Sequence, residues 1–128
     1  MTIFCFDDLR LDITKSFKDL DVWNHGIDFV EAIYRLTSSF PKEEQYGLVS
    51  QMRRASVSIP SNIAEGQGRR NPKEFIQFLY IAKGSLAEVE TQLIICKRLK
   101  YIDDIADLVD SMKRLRTMLI GLINALNR

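Results

Sequence analysis

The chain has 128 residues, enough for one domain that buries its own core without metals or disulfides. Its 18 Lys plus Arg against 17 Asp plus Glu leave a net charge of +1, which supplies no global positive field for nucleic acid. With 46% hydrophobic and 27% charged residues, and no apolar run near the ~20 residues that span a bilayer, the composition is that of a soluble globular chain.

Residues 1–18 stand apart from the rest. Phe4 and Phe6, then Leu9, Leu11 and Ile13, alternate with the period of two that suits a short extended arm. Such an arm packs on a neighbouring subunit, frays in solvent, or reflects a mis-assigned start codon; the residues do not choose. Asp7 and Asp8 follow the first apolar residues with neither a basic leader nor a small-residue cleavage site, which points to the cytoplasm. Cys5 and Cys96 are isolated thiols, neither a disulfide framework nor a metal pair.

Over residues 19–128 the sequence predicts one domain of four helices, at 21–39, 43–66, 72–99 and 104–126. Pro41 ends the first, because the residue before proline avoids the α region. Glu65-Gly66-Gln67-Gly68-Arg69-Arg70 reads as the second terminus and its turn. Asn71-Pro72-Lys73-Glu74 then restarts a helix, with a capping Asn, a proline suited to the first position and a carboxylate in the first turn. Asp103 and Asp104 are placed to cap the fourth.

In each segment apolar residues recur at alternating steps of four and three. The first gives Trp23, Ile27, Val30 and Tyr34; the second gives Leu48, Met52, Ala55, Ile59, then Asn62 or Ile63, and Gly66. The third runs Phe75, Leu79, Ala82, Leu86, Val89, Leu93, Cys96, and the fourth Ile105, Leu108, Met112, Leu115, Leu119, Leu122, Leu126. A period near 3.5 keeps one stripe facing a partner helix in a left-handed supercoil. The predicted fold is therefore all-α, a left-handed up-down-up-down four-helix bundle. Helix one carries a second seam (Val22, Phe29, Ile33, Leu36, Phe40) and helix three a weaker one (Ile76, Tyr80, Ala87, Ile94). Apolar seams beyond one core face favour self-association over a monomer. Gly84, Ser85 and Ala87 would let a neighbouring backbone approach closely. Pro60, inside helix two, is expected to kink it or loosen a turn, with Ser56 and Ser58 near enough to serve freed carbonyls.

Catalytic chemistry finds little foothold. His25 is the single histidine, without the partner a general base needs or the companions a zinc site needs. Glu43-Glu44 and Asp103-Asp104 are adjacent pairs whose side chains diverge on a helix. Gly66-Gln67-Gly68 lacks the strand before and the Lys-Ser/Thr after that define a phosphate loop. No catalytic residue, metal or cofactor is expected. The stripe Gln51, Arg54, Ser58, Ser61, Glu65 on helix two reads two ways, as do the clusters Arg69-Arg70-Lys73, Lys97-Arg98-Lys100 and Lys113-Arg114-Arg116. They are solvated faces, helix-end dipole complements and intersubunit ion pairs, or they are phosphate contacts. Near-neutral charge favours the first in a monomer, whereas a ring would gather such clusters on one surface.

The central run carries a resemblance. Asp19-Leu20 and Val22-Trp23 open it, followed by Phe40-Pro41, Glu43-Glu44 and Tyr46-Gly47-Leu48. Its centre is Arg53-Arg54-Ala55, then Ser58-Ile59-Pro60-Ser61-Asn62-Ile63-Ala64-Glu65-Gly66 and Gly68-Arg69, continuing into Phe78-Leu79 and Gly84-Ser85-Leu86. These residues resemble the four-helix bundle protein family encoded by intervening sequences in bacterial 23S ribosomal RNA genes. The likeness is close over residues 17–102, holds for helix four by pattern, and leaves residues 1–16 outside. The resemblance implies a left-handed bundle assembled as a ring-like homopentamer, with no known enzymatic activity. It also implies distant kinship to accessory proteins of diversity-generating retroelements, basic rings that bind a reverse transcriptase and nucleic acid. The near-neutral charge of this chain departs from them.

The expectation is a non-enzymatic cytoplasmic homopentamer that binds ribosomal RNA, another nucleic acid or a ribonucleoprotein partner, and no membrane. Arg53, Arg54, Arg69 and Arg70 are the candidate RNA or intersubunit contacts. Ser58, Pro60, Asn62, Glu65 and Gly66 form a structural motif, in which Asn62 and Glu65 organise the Pro60 kink and the following turn. The alternative is a protein-interaction scaffold that touches no nucleic acid.

Overall fold

A computed structural model describes residues 16–128, so the extended arm expected from residues 1–15 lies outside the described residues. The last part of that expected arm, Ser16 to Lys18, is tied to the first helix. Phe17–Asp19 make a 3-10 turn in which the Ser16 hydroxyl accepts the Lys18 amide at 3.2 Å. Phe17 meets Trp23 edge-on, with ring centroids 5.1 Å apart.

Four α-helices follow: α1 (Asp21–Thr37), α2 (Leu48–Gly68), α3 (Pro72–Arg98) and α4 (Ala106–Leu126). Among the described residues there is no strand. α2 packs on α1 and, most extensively, on α3; α4 packs on α3 and α1. Among the described residues no helix is long and apolar enough to cross a membrane.

One core runs through all four helices. Every member of the α3 series from Phe75 to Cys96 is buried, as are Met112, Leu115, Leu119, Leu122 and Leu126 of α4. In α2, Met52, Ala55, Ile59 and Ile63 are buried, while Leu48 is half-buried. α1 corrects the expectation. Its core stripe is Val22, Gly26, Phe29, Ile33 and Thr37, whereas Trp23, Ile27 and Val30 are half-buried and Tyr34 is exposed. The two seams exchange roles because the core stripe contains Gly26, where the backbone of α1 must come close to α2. A count of apolar side chains does not register a glycine.

The helix ends differ from expectation for local reasons. α2 begins at Leu48, because Lys42–Glu44 form a separate 3-10 turn and Gly47 breaks the chain direction at φ −108°, ψ −110°. The Glu44 carboxylate folds back to accept the Leu48 amide at 3.3 Å, and a Cβ on residue 47 would sit 2.9 Å from Glu44 Oε1. At its other end α2 runs through Gly66 to Gly68, and the chain reverses at Arg70, φ 55°. Gly66 serves packing instead of the turn: its Cβ would lie 2.6 Å from Phe78 Cβ and 2.9 Å from Phe75 Cδ1. Asn71 caps α3 as expected, accepting the Lys73 and Glu74 amides at 2.9 and 3.3 Å. α3 ends in a Schellman motif: Tyr101 N–H donates to Cys96 C=O at 2.9 Å and Lys100 N–H to Lys97 C=O at 3.1 Å. Asp104 then accepts the Ala106 amide at 3.0 Å at the start of α4.

Candidate nucleic-acid and partner interface

The four arginines of α2 and its following turn have different surroundings. Arg53 Nε donates to Thr37 Oγ1 at 2.9 Å and its Nη2 to the Tyr34 carbonyl at 3.3 Å. Its guanidinium lies 4.4 Å from the centroid of the Tyr34 ring. Arg53 thus holds the last turn of α1 against α2. Arg69 pairs with Glu65 one turn back at 3.0 Å and lies 5.1 Å from the Phe78 ring centroid. The side chains of Arg54 and Arg70 are exposed and make no hydrogen bond or ion pair among the described residues. Arg54 and Arg70 are sixteen residues apart, about 24 Å at the rise of an α-helix. These arginines do not form one cluster.

The structural motif is a polar link between α2 and α3. Asn62 Nδ2 donates to the Ser58 carbonyl at 2.7 Å and to Ser58 Oγ at 2.9 Å. The Ser58 hydroxyl, an acceptor there, shares a further bond with Ser85 Oγ of α3 at 2.9 Å. Ser56 Oγ turns back to the Arg53 carbonyl at 2.9 Å. α2 stays helical through Pro60, whose ring lies against α1: a Cβ on Gly26 would stand 3.4 Å from Pro60 Cβ. Glu65 engages Arg69 and so acts on the turn after α2.

The outward side of α3 is wider than the Tyr80–Ile94 seam predicts. Tyr80 and Ile81 at one end and Ile94, Ile95 and Leu99 at the other are each between 42% and 55% exposed. Between them stand exposed Gly84, Ala87, Glu88 and Thr91, and nothing lies within 4 Å of a Cβ placed on Gly84. The close backbone approach expected at Gly84 is therefore not made among the described residues. Ile81, Ile95 and Leu99 escaped notice because they widen the Tyr80–Ile94 seam without repeating it. Ser85, on the flank of this face, is already bonded to Ser58.

Elsewhere polar groups are used within the fold. Tyr101 O–H donates to Glu44 Oε2 at 2.9 Å, joining the α3–α4 connection to the α1–α2 connection, and its ring packs on Phe40. That hydrogen bond, with desolvation and the nearby carboxylates, raises the phenol above its usual value. Burial, and then the charge of Glu44, pushes the Cys96 thiol up; its Sγ contacts Met52 Sδ at 3.6 Å. A buried thiol with a raised pKa is a poor nucleophile. Arg116 and Glu90 link α4 to α3 at 2.7 Å. Among the described residues no three His, Cys, Asp or Glu side chains gather as a metal site.

A search of curated proteins finds no match. The profile of the 23S rRNA-intervening sequence proteins matches residues 18–121, from the 3-10 turn before α1 into the last turns of α4. With four helices and most of its length matched, the chain belongs to the 23S rRNA-intervening sequence protein family.

Proposed function

We propose that the chain is a non-enzymatic, cytoplasmic assembly protein: a left-handed up-down-up-down bundle that closes into a homopentameric ring and contacts RNA or a ribonucleoprotein partner. The observation that supports assembly is the outward side of α3, where exposed apolar residues flank Glu88 and Gly84 and Ala87 leave a notch that another chain can approach. Exposed, unpaired Arg54 and Arg70 support phosphate contact. Sedimentation of the purified chain, with Ala87→Arg as the disrupting variant, tests assembly. Five times the 14.8 kDa chain mass, lost in the variant, is expected; a monomer refutes the ring. Titration into labelled structured RNA at several salt concentrations tests contact, and binding that weakens steeply with salt is expected.

A second reading, a protein-interaction scaffold without nucleic acid, draws on the engagement of Arg53 and Arg69 inside the fold. Absence of RNA binding at low salt, with the ring intact, selects it.

A further inference from the structure

A groove of about 460 Å³ opens between the C-terminal half of α1 and the first turns of α4. That volume lies in the range of about 300–1,000 Å³ typical of ligand and anchor pockets. Its floor is apolar: Ala32 and Leu36 from α1, Ile105 and Leu108 from the start of α4, all half-buried. Its rim is acidic. Asp104 and Asp107 line it; both are exposed and neither forms an ion pair among the described residues. The one cation at the groove, Arg35, is held by Glu31 at 3.1 Å. Dipole complementarity explains carboxylates in the first turn of α4. It does not explain the open apolar floor beside Asp104 and Asp107.

We propose that this groove docks a partner protein's basic amphipathic segment, with apolar side chains on the floor and Lys or Arg facing the rim. Helical or extended peptides are commonly bound in this way, by apolar anchors in a groove whose charged edges fix orientation. The chain's own first fifteen residues are a poorer occupant by charge, since Asp7, Asp8 and Asp12 outnumber Arg10 and Lys15. The inference goes beyond the RNA reading and holds whether or not nucleic acid is bound.

The test titrates the full chain with a labelled Leu/Lys amphipathic peptide of about twelve residues, and with a Leu/Glu analogue as control. Saturable, salt-sensitive binding of the Leu/Lys peptide alone is expected. Asp107→Asn, which leaves the Asp104 cap in place, should weaken it by about threefold or more. Ala32→Phe, filling the floor, should do the same, and Glu43→Lys, outside the groove, should not. The proposal is overturned by no binding, by equal binding of the Leu/Glu analogue, or by groove variants that bind like the parent. A change of assembled mass in Ala32→Phe also overturns it, because the groove is then a contact between copies. Loss of RNA binding elsewhere on the chain leaves all of these outcomes unaltered.

Discussion

Arg53 of α2 and Thr37 of α1 are locked by a 2.9 Å hydrogen bond, and the hydroxyl of Thr37, 2% exposed, donates in turn to the Ile33 carbonyl at 2.8 Å. The guanidinium thus serves a buried hydroxyl that water cannot reach. Arg53→Ala should destabilise the fold by about 1–2 kcal/mol, the scale of a lost charge-assisted bond and its stacking. Arg54→Ala, next in sequence but unpaired, should leave stability within about 0.5 kcal/mol and lower RNA affinity instead. Urea unfolding of both variants beside an RNA titration separates the two roles.

Gly66→Ala should be costly despite the higher helix propensity of alanine. The new methyl has nowhere to go between Phe78 and Phe75, and overpacking of this kind costs about 1–3 kcal/mol. Thermal denaturation checks it, and a stabilised variant would show that the two aromatic rings yield freely.

Lys100 holds φ at 64° as the left-handed residue of the α3 terminus. Lys100→Gly should relieve about 1 kcal/mol of backbone strain and raise the melting temperature by a few degrees.

The phenol of Tyr101 keeps its proton more tightly in the folded chain, chiefly through its bond to Glu44. Its folded pKa is raised, so its contribution is complete below the ordinary phenol range and is lost as pH rises through the folded value. Tyr101→Phe should flatten the alkaline limb of the stability–pH curve and remove this raised phenol from an ultraviolet titration.

Gln92 is 5% exposed; its amide N–H donates to Glu88 at 3.4 Å, while its Oε1 has no partner among the described residues. Gln92→Met keeps the length and removes the orphaned acceptor. Chemical denaturation should show the variant equal to or more stable than the parent, by up to about 1–2 kcal/mol.

Legibility in the sequence followed the density of the apolar repeat. α3 and α4 were readable because Phe75 to Cys96 and Met112 to Leu126 repeat without a gap, and burial follows that repeat. α1 misled because its inward stripe is interrupted by Gly26 and ends in Thr37, while Trp23 and Tyr34 advertise the wrong side. The start of α2 was missed because Glu44 caps through space, with Gly47 clearing room for it. Among the arginines, nothing in Arg53-Arg54 distinguishes the one that clamps α1 from the one that faces solvent. That difference arises from 100° of helical rotation and from what α1 places on one side.

Pro60 and Gly26 have a consequence for motion. A ring that stands out from one helix sits in a gap left by a missing side chain on the other, much as a key sits in its slot. Sliding α1 along α2 by one helical turn, about 5.4 Å, would bring the ring against a residue that has a side chain. Phe29 or Val30 stands there in one direction and Val22 or Trp23 in the other. The axial setting of this pair is therefore discrete. Rearrangement on binding a partner has to come from elsewhere in the bundle.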